Sequence, residues 1–403
     1  MSKSKSAVLA GVAALSLAVG GCAGTTPRIA YTRAEAEAAQ VPGMPGDVRF
    51  YADAPAFVFE RFRQPVVAAA RARHEPVTFL ALSSGGADGA FGAGFMKGLT
   101  EAHQRPNFSV VSGISTGALM SPFVFLGPAY DGTLEKLYTD GYASALVKDV
   151  SVVNAVLGNA FVDSDKLGRF IAQYIDQPIL DAVAAEHRKG RRLIVVTTNL
   201  DQQRSVVWNM GAIAASGAPN ALQLFRQVLA ASASIPALFP PRLIEVESGG
   251  HLFREMHVDG ATLRQVYVAP DDVIYGGRGG AANPVEDVYV LVNNKVDPSF
   301  RVVDDDTVSV AARGLSTILR REGRSNVLAS YSYAAAHGIG YHIVAIDPEA
   351  PEPPASDAAE QFSTAYMTAL FARGEARGRM PSPWARRPTL STDPAGQGAV
   401  AAR

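Results

Sequence analysis

Ser115 stands in Gly113-Ile114-Ser115-Thr116-Gly117, a G-x-S-x-G pentapeptide. A serine hydroxyl is a weak nucleophile at neutral pH. On a sharp strand-to-helix turn its oxygen is exposed and lies near backbone N–H groups at a helix N-terminus. Those groups can stabilise a developing oxyanion. The flanks suit such a turn: Phe108 to Ser112 is a short apolar run fit for a buried strand, and Ala118, Leu119 and Met120 can open a helix. The chemistry these residues suggest is acyl transfer through a covalent intermediate. In a chain with 37 glycines the pentapeptide can also be a tight turn carrying a surface serine, so the neighbouring segments decide.

Upstream, Val77 to Leu82 is nearly all apolar and reads as a buried strand of a parallel sheet. Ser84-Gly85-Gly86-Ala87-Asp88-Gly89 follows, and Ala90 to His103 reads as a helix with Phe91, Phe95, Met96 and Leu99 close to one face. Glycines at that junction let backbone amides approach a ligand oxygen. Three uses compete. A dinucleotide site needs G-x-G-x-x-G, which is missing from this stretch, and a P-loop needs G-K-[ST], of which only Lys97-Gly98 is present. An oxyanion hole needs adjacent amides near a nucleophile, and the next strand delivers Ser115. Gly92 and Gly94 read as close helix–strand packing. Downstream, Asp259-Gly260 is a carboxylate followed by a turn residue, and as a dipeptide it can equally be a plain turn.

Taken in order, these blocks resemble the patatin-like phospholipase family. The residues that carry the resemblance are Gly85-Gly86-Ala87-Asp88-Gly89, Gly113 to Gly117, Ala231-Ser232-Ala233-Ser234-Ile235-Pro236 with Phe239-Pro240-Pro241, and Asp259-Gly260. The resemblance covers roughly Val77 to Ile346. It implies a three-layer α/β/α fold and a two-residue dyad, with Ser115 as nucleophile and Asp259 as base, 144 residues apart. It also implies an oxyanion hole from the amides of Gly85, Gly86 and Ala87, and an acyl ester of a phospholipid, lysophospholipid or related lipid as substrate. Two positions depart from the family loop. Ser84 replaces the first glycine, and Asp88 stands where a basic residue is usual. An acid beside an oxyanion opposes its charge unless the side chain is paired or turned away.

Two other readings stay open. Chain order permits a Ser-Asp-His triad of the α/β-hydrolase kind, because His337 and His342 follow Asp259, and His257 shares a strand face with it. A non-catalytic envelope lipoprotein using the same scaffold to bind lipid or a partner is the second, and Asp88 favours it. No metal-ligand spacing is evident, and no cofactor is implied.

The elements that must position these residues alternate. Leu193 to Thr198, Val288 to Val292 and Tyr341 to Ile346 read as further buried strands, and Thr307 to Ala336 as a long helix or helix pair. The pattern is α/β with a mainly parallel sheet flanked by helices. Residues 1–21 read as a signal peptide: Lys3 and Lys5 precede an apolar run from Ala7 to Val19 that is short for a membrane span. Val19-Gly20-Gly21-Cys22 resembles a lipobox, which implies lipidation at Cys22. That cysteine is the only one in the chain, so no internal disulfide can form. Ala23 after it resembles lipoproteins sent to the outer membrane, facing the periplasm. Residues 22–47 read as a membrane tether with a short helix near Ala34 to Gln40, 48–76 as an extension packing on the core, and 77–347 as the catalytic domain. Residues 348–403 read as a Pro-rich segment, a docked helix over Asp357 to Arg373 and a disordered tail from Met380. Val147 to Ala160 reads as a core helix, with a lipid-contact loop as the alternative. A net charge of −1 with no basic stripe argues against a nucleic-acid partner. Oligomeric state is not legible.

Overall fold

The computed structural model describes residues 28–147, 166–236, 238–275, 285–298, 300, 302–350 and 361–389. Its strands are β1 (Arg49–Tyr51), β2 (Val77–Leu82), β3 (Val110–Gly113), β4 (Arg192–Asn199), β5 (Arg204–Asn209), β6 (Arg242–Ser248), β7 (His251–Asp259), β8 (Val285–Val292) and β9 (Gly340–Ala345). They form one sheet in the order β1-β5-β4-β3-β2-β8-β9. The five strands from β4 to β9 in that order run parallel. At one edge β5 and β1 are antiparallel, and the β6–β7 hairpin joins through β7 to β4. The mainly parallel sheet expected from the sequence is therefore its centre, with antiparallel additions that no short-range pattern announced.

Every residue of β2 and β4 is buried, which is why both read as nearly continuous apolar runs. Alternation sends Leu80, Leu82, Leu193 and Val195 to one face, and Phe79, Ala81, Ile194 and Val196 to the other. The first face is covered by a large helical layer: α3 (Gly89–Glu101), α4 (Thr116–Leu126), α5 (Asp131–Thr139), α6 (Tyr142–Val147), α7 (Lys166–Tyr174), α8 (Gln177–Arg188), α9 (Met210–Ala215), α10 (Ala221–Ser232) and α13 (Thr364–Gly378). The second face is covered by α2 (Ala56–Arg73) and α12 (Thr307–Ala336). Outside these layers lie α1 (Arg33–Ala38), beside the β6–β7 hairpin, and the short α11 (Asp271–Tyr275). The architecture is α/β/α.

Several segments differ from the sequence expectation. From residue 28 on, the stretch read as a tether is docked: Arg28 bonds Asp201 and the Arg254 carbonyl, and Gln40 bridges Glu247. A C-terminal helix over Thr364–Gly378, capped by Ser363, covers most of the expected one, whose first residues, 357–360, lie outside the described residues. The segment read as disordered from Met380 is ordered to residue 389. Trp384 packs edge-on against Phe95, and Ala385 pairs with Ile343 of β9. An indole and a bridge to a sheet edge supply the burial that polar composition had hidden. Residues 1–21, Cys22, the remainder of Val147 to Ala160 beyond Val147, and residues 390–403 lie outside the described residues.

One topological detail builds the site. Strand β3 leaves β4 at Gly113, opposite Val195. Strand β7 then takes over the same edge of β4 and ends with Asp259 opposite Thr197. Ser115 lies two residues past Gly113, and Thr197 two residues past Val195, so the turn and the strand end meet.

Candidate active site

Ser115 sits between β3 and α4 with φ 57° and ψ −122°, a conformation that costs a non-glycine residue on the order of 1–3 kcal/mol. The surroundings hold it there. Its N–H donates to Ser232 Oγ at 3.0 Å, and that hydroxyl donates to the Val196 carbonyl at 2.7 Å. The flanking glycines are sterically required. A Cβ on Gly113 would collide with the Gly117 backbone, and one on Gly117 with the carbonyls of Leu82 and Ser83.

The Ser115 hydroxyl donates to Asp259 Oδ2 at 2.6 Å. The other carboxylate oxygen accepts from the Ala261 N–H at 2.8 Å. The Asp259 N–H is held by the Ser234 carbonyl at 2.9 Å. Asp259 is buried, and desolvation pushes its carboxyl up to about 7 against the two hydrogen bonds it accepts. A base that titrates there is matched to neutral pH.

The glycine loop stands beside this pair. After β2, residues Gly86–Asp88 make a single 3₁₀ turn that runs into α3, closed by the Asp88 N–H on the Gly85 carbonyl at 3.1 Å. Gly86 has φ +58°, which favours glycine there. The amides of Gly86 and Ala87 occupy the start of this turn, where helical geometry supplies no acceptor. Gly86, Ala87 and Ser115 line one cavity of about 50 Å³, whose other walls are mostly apolar, among them Leu119, Leu146, Phe170, Ile235 and Phe239. Gly85 is not among the lining residues. It is pressed against Asn293 at the end of β8, and a Cβ would strike that backbone. Of the three expected oxyanion residues, two face the cavity.

Asp88 does not confront the cavity unpaired: its Oδ1 accepts from the Tyr366 hydroxyl at 2.7 Å. A larger and more open depression of about 570 Å³, walled by Arg28, Arg33 and Arg204, contains neither Ser115 nor Asp259. Its size carries no weight against the chemistry assembled in the smaller one.

No histidine of the described residues hydrogen-bonds Ser115 or Asp259. His257 is buried between Thr197 Oγ1 at 2.9 Å and Glu255 Oε2 at 3.2 Å. His342 bonds Asp287 at 2.7 Å, and His337 lies on the surface against the Tyr333 carbonyl. The triad alternative thus finds no imidazole in place. Among the described residues no group of His, Cys, Asp and Glu could hold a metal ion. Gly92 packs against β8 as expected, whereas Gly94 meets α13 rather than a strand.

Sequence reasoning missed four residues. Ser232 and Ser234 were noticed as a pattern, yet nothing local says that one holds the nucleophile's amide and the other the aspartate's. Phe362, which also lines the cavity, stands just before α13 and Tyr366 in its first turn, 278 residues downstream of the Asp88 it bonds.

No curated protein matches the chain in sequence. Among solved structures, VipD from Legionella pneumophila is similar at 13% identity and a TM-score of 0.33, covering 73% of this chain and 66% of that one. Human GIVD cytosolic phospholipase A2 is similar at 11% identity and a TM-score of 0.36, covering 86% and 63%. The type III effector protein ExoU is similar at 13% identity and a TM-score of 0.27, covering 74% and 53%. The alignments thus span less than two thirds of each of those chains. The family model for patatin-like phospholipase matches residues 80–270, the stretch that holds the glycine loop, the serine turn and Asp259, and this part of the chain is a patatin-like phospholipase domain.

Proposed function

We propose that the protein is a serine acyl hydrolase that cleaves acyl esters of phospholipids, lysophospholipids or related lipids through Ser115 and Asp259. The observation that carries this reading is the 2.6 Å hydrogen bond to a buried carboxyl from the Oγ of Ser115, a residue that lines a mostly apolar cavity. Asp259 takes the hydroxyl proton as Ser115 Oγ bonds to the ester carbonyl carbon. The carbonyl electron pair moves onto oxygen, where the Gly86 and Ala87 amides receive it. Collapse breaks the bond to the leaving alcohol, which takes the proton from Asp259. Water, deprotonated by Asp259, then attacks the acyl-serine carbonyl; collapse breaks the bond to Ser115 Oγ, which takes the proton back from Asp259, and the carboxylic acid leaves. Each oxyanion amide contributes on the order of 10²–10³ in rate.

The apolar walls suit an acyl chain, and the family domain is consistent with a lipid ester. Lipidation of Cys22 and a place in the bacterial envelope belong to the same reading. They are checked by incorporation of an alkynyl fatty acid into the wild type and its loss in Cys22→Ala.

The test of activity is fluorophosphonate labelling of the full chain in detergent, beside Ser115→Ala, with the adduct mapped by peptide mass. Labelling confined to Ser115 is expected, followed by hydrolysis of a lysophospholipid. A folded protein that takes no label on Ser115 would move the assignment to a lipid-binding lipoprotein.

A further inference from the structure

Asp88 is one of the two positions at which the loop departs from its family, and α13 lies wholly outside the matched residues 80–270. The structure brings these two exceptions together. The Tyr366 hydroxyl, in the first turn of α13, donates to Asp88 Oδ1 at 2.7 Å. Just before the helix, Phe362 covers Gly86, its ring 3.4 Å from where a Cβ on that glycine would stand. Both contacts fall on the turn whose Gly86 and Ala87 line the cavity.

The helix that delivers them is held close. Gly94 and Gly98 of α3 abut the carbonyls of Phe371 and Glu375 on α13, while Gly374 and Gly378 abut those of Phe91 and Phe95 on α3. At each of these positions a Cβ would collide with backbone. Two helices meeting in this way cannot slide by much, so Tyr366 is presented to Asp88 from a rigid frame. The backbone N–H of Asp88 closes the oxyanion turn on Gly85, so a tether on the Asp88 side chain acts directly on that turn.

We propose that Tyr366 is a positioning residue for the oxyanion loop, and that its hydroxyl helps make an acid at residue 88 compatible with oxyanion chemistry. The donated hydrogen bond draws the carboxylate toward α13 and disperses its charge. Without it, the carboxylate is held less firmly away from the negative charge that develops beside Gly86 and Ala87. The catalytic part of this inference rests on the hydrolase reading; the structural part does not.

The test is a double-mutant cycle on the full chain with two readouts. Tyr366→Phe removes one oxygen and keeps the ring, so the fold is retained. Hydrogen exchange of the peptide over residues 83–90 should quicken about 10-fold, while the amides of α3 from residue 92 on keep their rates. For hydrolysis of a lysophospholipid, kcat should fall on the order of 10-fold with KM little changed. In an Asp88→Asn background the same Tyr366→Phe change should alter kcat by about 2-fold or less, because no charge is left to restrain. Equal losses in both backgrounds would overturn the charge argument. Unchanged loop exchange in Tyr366→Phe would overturn the positioning role itself. If the wild type neither labels at Ser115 nor turns over, the hydrolase reading has failed, and loop exchange alone decides whether α13 fixes the loop.

Discussion

Strand β7 carries two buried carboxyls four residues apart, and their surroundings drive them in opposite directions. Glu255 is 0% exposed and Asp259 2%. Desolvation is the largest influence on both, and it raises both. At Glu255 it is outweighed by the hydrogen bond from His257 and the charge of Arg49, 2.5 Å away, so the carboxyl titrates below its ordinary range. At Asp259 only neutral donors answer it, the Ser115 hydroxyl and the Ala261 amide, and the carboxyl is pushed up to about 7. Around Glu255 the chain of bonds continues. Trp208 donates to Thr197 Oγ1 at 2.8 Å, Thr197 meets His257 Nδ1, and burial holds the imidazole below its usual pKa. Burial by itself makes a base; burial beside a guanidinium makes a tie between β1 and β7. A carboxylate becomes suited to proton transfer by what is withheld from it.

The contrast is most exposed by Asp259→Asn. Turnover should fall at least on the order of 10⁴-fold, because the group that takes the Ser115 proton is lost while its shape is kept. Stability should move the other way. The folded-state value of about 7 lies above the unfolded value of about 3.9, so the contribution of this group is full below the unfolded value and is lost as pH rises through 7. Thermal melts should show the Asn variant more stable than wild type at pH 8, with the gap closing toward pH 4. A variant no more stable at pH 8 would mean that the carboxyl is not strained by burial.

Arg49→Leu probes the other half. It strands Glu255 in the interior without its cation, which typically costs 3–5 kcal/mol. Urea unfolding at pH 7 should show that loss, and adding Glu255→Gln should recover most of it. The depressed Glu255 contributes stability above its unfolded value, and that is lost as pH falls through the folded one, the reverse of Asp259. A weaker effect concerns rate. Below pH 7, kcat/KM should drop as Asp259 takes up a proton, approaching 10-fold per unit and reaching about 50-fold between pH 7 and pH 5. A flat profile over that range would remove Asp259 as the base.

The half of the site that is local in sequence was legible; the half that is not was hidden for physical reasons. Ser115 and its glycines form one turn, and the requirement for close backbone approach is written in the pentapeptide itself. Asp259 could be named only because several blocks occurred in order, since Asp-Gly alone is a turn dipeptide. Strands β2 and β4 were plain because both their faces are buried. The β6–β7 hairpin was not, because β6 alternates buried and exposed residues over charged positions and gains its place by pairing at a distance. Nothing short-range could say that Glu255 finds Arg49 across 206 residues, or that Asp88 finds Tyr366 across 278. The expected tether after Cys22 failed from residue 28 for the same reason: Arg28 looks solvated until Asp201 is beside it.

Ser232→Ala is the finest probe of the difference between the two carboxyl sites. Around Glu255 the framework is an ion pair between side chains, so a substitution there shows itself in stability. Around Asp259 the framework is mostly backbone: the Ser234 carbonyl and the Ala261 amide cannot be removed by changing a side chain. Ser232 is the exception, the one hydroxyl that links the Ser115 amide to the Val196 carbonyl. Its loss leaves two buried backbone groups without that partner, at a cost of about 1–3 kcal/mol. It also leaves the strained Ser115 backbone less constrained. Turnover should fall on the order of 10-fold, with the pH at which the rate levels off unchanged, because Asp259 keeps its burial and both its donors. A shift of that midpoint in Ser232→Ala would mean that Ser232 acts on the base, and that strand end and turn are coupled more tightly than their separate supports imply.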